Sequence, residues 1–247
     1  MSKTAIVTGG ARGIGRACAK ALARAGYDIA LVDLLRPEME RTAGEIAEIG
    51  RQAMVIEADV ASFARAQEAV GEVDRRFGRI DFLLNNAGKA MPKGISEISE
   101  EEFDRTIAIN LKSCFNYIHA VVPVMQRQGG GRIASMSSLN AHSGGVTAAV
   151  SKFAYASAKA GILGMTRALA KELGPAILVN AICPGVIETE LGNAITRARG
   201  PELAKGIALK RLGKPDDVAQ LVVFLATSEP CFITGQNFQV DGFQFNV

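Results

Sequence analysis

Tyr155 and Lys159 stand four residues apart in Tyr155-Ala156-Ser157-Ala158-Lys159. On a helix that spacing places both side chains on one face. An ammonium beside a phenol favours the phenolate and draws its pKa from about 10 toward neutrality, which suits acid/base work near pH 7. The chain has three tyrosines, and only this one has a lysine at that offset. Upstream, Ser137-Ser138 follows the apolar residues Ile133-Ala134. A hydroxyl at Ser138 can hydrogen-bond a substrate oxygen as charge develops on it. Asn110 is a polar amide amid apolar neighbours in a helical pattern, a place where such a side chain caps, kinks or serves a site.

A second group of residues suits an anion. Ala5-Ile6-Val7 reads as a short buried strand, and Arg16–Ala25 as an alanine-rich amphipathic helix stopped by Gly26. Between them lies Thr8-Gly9-Gly10-Ala11-Arg12-Gly13-Ile14-Gly15. Glycines let the backbone turn tightly and approach a pyrophosphate. The helix start offers that anion unpaired N–H groups and a positive dipole end. The spacing is G-x-x-x-G-x-G rather than the more widespread G-x-G-x-x-G. Asp33 closes the strand Ile29–Val32, about twenty residues past the turn, where an acid accepts hydrogen bonds from an adenine ribose diol. A carboxylate there repels a 2′-phosphate, and the next residue is Leu34 rather than an arginine. NAD(H) is therefore expected over NADP(H). Arg12 and Arg36 are the cations within reach of a phosphate, so NADP(H) stays open. Asp59-Val60 and Asn85-Asn86-Ala87-Gly88 follow the next two strands and suit adenine and ribose against the sheet edge.

The elements that must hold these groups alternate nearly to the end. Strands are expected at Met54–Glu57, Phe82–Leu84, Gly131–Met136, Leu178–Ile182 and Asn237–Val240. Helices are expected at Pro37–Ile49, Phe63–Phe77, Glu100–Arg127, Tyr155–Leu173 and Asp216–Thr227. Strands separated by such helices predict right-handed crossovers and an α/β fold. That fold is a single Rossmann-type, doubly wound parallel sheet with helices on both faces, over residues 1–247 as one domain. Continuous apolar strands agree with a sheet covered on both sides. Residues 186–210 mix Gly192, Gly200-Pro201 and charges after a strand end, the position of a substrate lid.

Composition narrows the class further. The 247 residues are 48% hydrophobic, enough for a large core. Net charge is +3, from 28 basic and 25 acidic residues, too balanced for nucleic acid. No apolar run approaches a membrane span, and the first strand begins too early for a signal peptide. Cys18, Cys114, Cys183 and Cys231 are scattered and read as reduced small hydrophobes of a cytoplasmic protein, with no metal site.

Taken together, the ordered set resembles the short-chain dehydrogenase/reductase family. It comprises Thr8…Gly15, Asp59, Asn85–Gly88, Asn110, Ser138, Tyr155, Lys159, Pro184-Gly185 and Thr189. The resemblance covers essentially the whole chain. It implies that Tyr155 passes a proton to or from the substrate oxygen and that Ser138 positions that oxygen. It implies that Lys159 binds the nicotinamide ribose and assists Tyr155, and that Asn110 holds a water in a proton relay. Gly9, Arg12, Gly13, Ile14, Gly15, Asp33, Asp59, Val60, Asn86, Ala87 and Gly88 would line the cofactor. Pro184, Gly185, Ile187 and Thr189 would cradle the nicotinamide carboxamide. A homotetramer is also implied, with the helices over Glu100–Arg127 and Tyr155–Leu173 pairing across a two-fold axis. Ile118, Val121, Val122, Met125, Ile162, Leu163, Met165 and Leu169 are the apolar residues expected to serve those interfaces.

Three departures bear on substrate. The Ser138–Tyr155 gap is longer than in the commonest members, with an insert at about residues 144–153. Ala141 stands where a glycine often does, and Gly242-Phe243 replaces a double glycine. Asn140, His142 and Ser143 near the site suggest a sugar, polyol or hydroxy acid, with Asn140 and His142 as substrate contacts. Lys89, Lys93, Arg197 and Arg199 are candidates to flank the cleft. The alternative reading is a 3-oxoacyl-(acyl-carrier-protein) reductase using NADPH. Asp33 and the Gly174-Pro175-Ala176 run, where such enzymes present arginine, argue against it. A non-catalytic nucleotide sensor is the remaining class, and the intact Ser138, Tyr155 and Lys159 oppose it.

Overall fold

Ala5 and Val7 pack into one layer of helices and Ile6 into the other, and all three are fully buried. This period of two along a strand buried on both faces is what a covered parallel sheet requires. The computed structural model describes residues 2–145, 150–190 and 199–244. The first half runs β1 (Lys3–Thr8), α1 (Gly13–Arg24), β2 (Tyr27–Asp33), α2 (Arg36–Glu48), β3 (Ala53–Glu57), α3 (Phe63–Phe77) and β4 (Phe82–Asn85). Then come α4 (Glu100–Ile107), a π-helical turn (Ala108–Lys112), α5 (Ser113–Arg127), β5 (Gly131–Met136), α6 (Asn140–Ser143) and α7 (Phe153–Leu173). The chain closes with β6 (Ile177–Pro184), α8 (Gly200–Lys205), α9 (Pro215–Thr227) and β7 (Asn237–Val240).

The strands form one sheet in the order β3-β2-β1-β4-β5-β6-β7, with every pairing parallel. Strand order reverses between β1 and β4, and a ligand crevice is expected outside their carboxyl ends. On one face α1, α2 and α9 bury Leu22, Met39, Ile46 and Val222. On the other α3, α5 and α7 bury Val70, Val73, Tyr117, Val121 and Ile162. Each such side chain contributes about 1.5–3 kcal/mol. Among the described residues, no helix is long and apolar enough to cross a membrane.

Several expectations need correction. The helix expected over Glu100–Arg127 is interrupted by the π turn at Ala108–Lys112. Ile118, Val121, Met125, Ile162 and Leu163 are buried within this chain, because the sheet face takes them. They are therefore not free for an interface. Of the expected lid, Val186–Glu190 leave the end of β6, with Ile187 bridging to Gly213, and Gly200–Lys205 form α8. Residues 191–198 of that segment, Arg197 among them, and residues 146–149 of the insert lie outside the described residues.

Candidate active site

At the β1–β4 switch point a cleft of about 500 Å³ opens. It is lined by Gly9, Arg12, Gly13, Ile14, Gly15, Asp33, Asp59, Val60, Asn86, Ala87, Gly88 and Thr189, all named from the sequence. The turn after β1 is fastened to the turn after β4. Thr8 Oγ1 accepts from the Asn86 and Ala87 N–H groups at 3.0 and 3.1 Å. The Asn86 amide donates to the Thr8 and Gly9 carbonyls at 3.0 and 3.1 Å. There is no room for a side chain here: a Cβ on Gly15 would lie 2.0 Å from the Gly9 carbonyl oxygen. Gly13 has φ +56°, the left-handed region, and faces the Thr189 methyl at 3.6 Å. The N-cap of α1, Arg12, makes no side-chain cap, so the first N–H groups of the helix remain for an anion.

Asp33 ends β2 on the floor of this cleft. Three backbone N–H groups orient its carboxylate: Ala11 at 3.2 Å, Leu34 at 2.8 Å and Leu35 at 3.3 Å. Arg36 pairs with Glu40 at 3.0 Å on the surface of α2, both side chains more than half exposed. Arg12 is exposed on the rim and makes no ion pair among the described residues. Asp59 sits further along the cleft. Burial pushes its carboxyl upward, but the Arg105 guanidinium at 2.8 Å and the Ala61 N–H at 2.9 Å outweigh that and hold it below the ordinary carboxylate range.

Asn110 and Lys159 meet the cleft at Gly88. A Cβ there would lie 3.0 Å from Asn110 Oδ1 and 3.5 Å from Lys159 Nζ. Lys159 Nζ lies 5.6 Å from the centre of the Tyr155 ring. It donates to the Met136 carbonyl at 2.7 Å, and Ser137 Oγ donates to the Lys159 carbonyl at 2.7 Å. These two bonds clamp α7 to the end of β5, from which Ser138 projects. Ser138 Oγ accepts from the Asn140 N–H at 3.2 Å, and the Leu139 N–H donates to the Pro184 carbonyl at 3.0 Å. The serine segment is thus docked on the Pro184-Gly185 turn, where Gly185 donates to Val240 at 3.0 Å. Asn110 is fully buried. Its Oδ1 accepts from the Lys89 N–H at 3.0 Å, and its Nδ2 donates to the Lys89 and Thr106 carbonyls at 2.9 and 3.0 Å.

Not every candidate converges. His142 Nε2 lies 3.2 Å from Asn237 Nδ2 and 3.7 Å from Cys183 Sγ, so the ring ties α6 to β6 and β7. Asn140 Nδ2 reaches the Ser151 carbonyl at 3.5 Å and Ser143 Oγ the Leu139 carbonyl at 3.2 Å. These polar groups therefore have partners inside the chain. Lys89 lines the cleft, whereas Lys93 pairs with Glu102 at 2.5 Å and Arg199 with Glu202 at 2.8 Å. Burial pushes the Cys18, Cys114 and Cys183 thiols up, away from the reactive thiolate. Sequence reasoning missed Arg105. Its partner lies 46 residues away, and nothing local marks it.

Comparison with known proteins agrees with this geometry. A family model described as Enoyl-(Acyl carrier protein) reductase matches residues 9–242. Oxidoreductase UcpA of Salmonella typhimurium is 39% identical, over 97% of this chain and 93% of that one. The 3-oxoacyl-(acyl-carrier-protein) reductase FabG of Staphylococcus epidermidis is 37% identical, over 98% of both chains. The crystal structure of an actinorhodin polyketide ketoreductase variant with NADPH superposes with a TM-score of 0.93 at 28% identity, covering 100% of this chain and 98% of that one. With sheet order, glycine turn and the Ser138, Tyr155 and Lys159 set all in place, the chain belongs to the short-chain dehydrogenase/reductase family. It is an oxidoreductase of the class that acts on CH–OH groups with NAD(P)(H).

Proposed function

We propose that the chain interconverts a secondary alcohol and a ketone with NAD(H) as its preferred cofactor. The observation that carries this is Asp33, whose carboxylate is fixed by three N–H groups on the cleft floor while Arg36 is paired elsewhere. Gly9, Gly13, Gly15 and the start of α1 would hold the pyrophosphate, and Asp33 the adenine ribose. Asp59, Val60, Asn86 and Ala87 would flank the adenosine, and Lys159 with Gly185, Ile187 and Thr189 the nicotinamide half. When bound, the cofactor supplies or accepts the hydride. Ser138 hydrogen-bonds the substrate oxygen. Tyr155 donates a proton to that oxygen in reduction and removes one in oxidation. Lys159, whose Nζ lies 5.6 Å from the centre of the Tyr155 ring, would bind the nicotinamide ribose beside it. Asn110 keeps the relay water in this reading: its Nδ2 donates to the Lys89 and Thr106 carbonyls and its Oδ1 accepts from the Lys89 N–H, which leaves that oxygen a second acceptor site.

The substrate remains a sugar, polyol or hydroxy acid in this reading, supported by the polar character of the segment after Ser138. His142, Ser143 and Asn140 all have internal partners, the longest contact being that of Asn140 at 3.5 Å, which weakens that support. A second reading, the NADPH-linked 3-oxoacyl-(acyl-carrier-protein) reductase, is favoured by the likeness to FabG. Asp33 decides between them. Two orders of magnitude in cofactor selectivity amount to about 2.7 kcal/mol, a scale that a carboxylate facing a phosphate at a partly screened site supplies. The test is the ratio of kcat/KM for NAD(H) and NADP(H) on sugar acids, polyols and acyl thioesters, in wild type and Asp33→Ala. The expected result is about a hundredfold preference for NAD(H) that collapses in the variant. A wild type favouring NADP(H) would overturn it.

We further propose a homotetramer. Its support is an exposed aromatic cluster on α3 and α5, where Phe63 and Phe115 are 38% and 46% exposed and stack at 5.8 Å beside His119. Leu209 and Phe243, exposed near the carboxyl end, suit a second interface.

A further inference from the structure

Arg105 lies in the last turn of α4 and donates from Nη2 to Asp59 Oδ2 at 2.8 Å. It lines the main cleft beside Ala58, Asp59 and Val60. It also lines a neighbouring cavity of about 300 Å³ that Met91, Glu102 and Asn110 border. Lys89, Arg105 and Ile109 line both spaces, and of these Arg105 is the one paired with Asp59. The turn after β3 is gripped a second time from α5, where the buried Asn116 Nδ2 donates to the Val60 carbonyl at 2.9 Å. Asp59 Oδ1 accepts from Ala61 and Oδ2 from Arg105. A carboxylate has roughly four acceptor sites, so one on each oxygen stays open. Arg105 is 51% exposed, and an ion pair at such a surface adds little stability. The pair does, however, hold a planar, weakly hydrated guanidinium at the cleft wall, a group that stacks readily on aromatic faces.

We propose that Arg105 is an adenine-binding residue. Held by Asp59, its guanidinium forms the outer wall of the adenine end of the cleft and sets the affinity for the adenosine half of the cofactor. This rests on the reading of the cleft as the dinucleotide site. Lys89 lines the same cleft but hydrogen-bonds through its backbone to Asn110, nearer the acid/base groups. The other charged groups of α4 bordering the side cavity are Glu101 and Glu102, and Glu102 is paired with Lys93. Arg105 is thus the cation on the Asp59 side.

The test is binding to the full chain, in wild type, Arg105→Ala and Arg105→Lys. Three probes are used: NADH, AMP, and reduced nicotinamide mononucleotide, which carries a phosphate but no adenine. The chain contains no tryptophan, so nicotinamide fluorescence is read without overlap from indole. The expected result in Arg105→Ala is a Kd for NADH and for AMP raised by the same factor, about fivefold or more. The mononucleotide Kd and the thermal midpoint stay unchanged. Arg105→Lys keeps the charge, loses the plane, and falls between. Unchanged NADH and AMP affinity in Arg105→Ala would overturn the proposal, as would equal weakening of all three probes or full recovery by lysine. Failure of the wild type to bind NADH would instead overturn the cofactor reading.

Discussion

Lys159 is only 3% exposed, yet its ammonium is held by the Met136 carbonyl and lies beside the Tyr155 ring. A buried cation on a single carbonyl is costly unless other partners complete its shell. The Tyr155 hydroxyl and a cofactor ribose would do so, which ties the cost of the site to its use. Removing the Tyr155 hydroxyl then removes the acid/base group and leaves the cleft intact. Tyr155→Phe is expected to lower kcat by at least ~10²-fold with the NADH Kd unchanged. Near-normal turnover would contradict the assignment. These residues were legible because their spacing has a mechanical meaning: a tyrosine and a lysine one helical turn apart, and a serine at a strand end. His142 was not legible as a tie to β7, because its partner Asn237 lies 95 residues away. Arg105 was hidden for the same reason. A long-range pair leaves no local period.

The π turn at Ala108–Lys112 and the glycine turn after β1 carry the site at the scale of elements. Sequence periodicity shows a helix from Glu100 to Arg127 and even singles out Asn110 as a misfit. It does not show the change of hydrogen-bond register at Asn110, whose amide pairs with the backbone of Lys89, 21 residues away. The glycine turn was legible because glycine is needed there for backbone angle or for space. Its members differ in kind. Gly13 needs a positive φ but has space beyond its Cβ, whereas Gly15 has none. Gly13→Ala should therefore cost about 1 kcal/mol of strain and modestly weaken NADH binding. Gly15→Ala must push the Gly9 carbonyl and the Asn86 amide apart, breaking the fastening of β1 to β4. Calorimetry and NADH titration of both variants test this. The expected order is a larger loss of thermal midpoint and of affinity in Gly15→Ala, and the reverse order would refute the packing argument.

At the scale of the whole molecule, alternating strands and helices fix the sheet order, because right-handed crossovers leave few other arrangements. The assembly was read less well. Apolar residues of α5 and α7 were assigned to interfaces, but a sheet covered on both faces takes Val121, Met125 and Ile162 inside. Besides Leu34, Ile95, Phe224 and Phe232, the exposed large apolar side chains among the described residues are Phe63, Phe115, Leu209 and Phe243. If these close two interfaces, dihedral symmetry follows. Sedimentation at micromolar concentration should then show a tetramer that Phe115→Glu splits, and a stable wild-type monomer would refute it. The central claim concerns the cleft as a whole, a dinucleotide site whose floor carries one fixed carboxylate. It is tested most directly without any substrate, by titrating the protein with NADH and NADPH and following nicotinamide fluorescence. The account predicts an NADH Kd lower than that of NADPH by about two orders of magnitude, a gap that Asp33→Ala removes. NADPH binding as tightly as NADH, or more tightly, would contradict it.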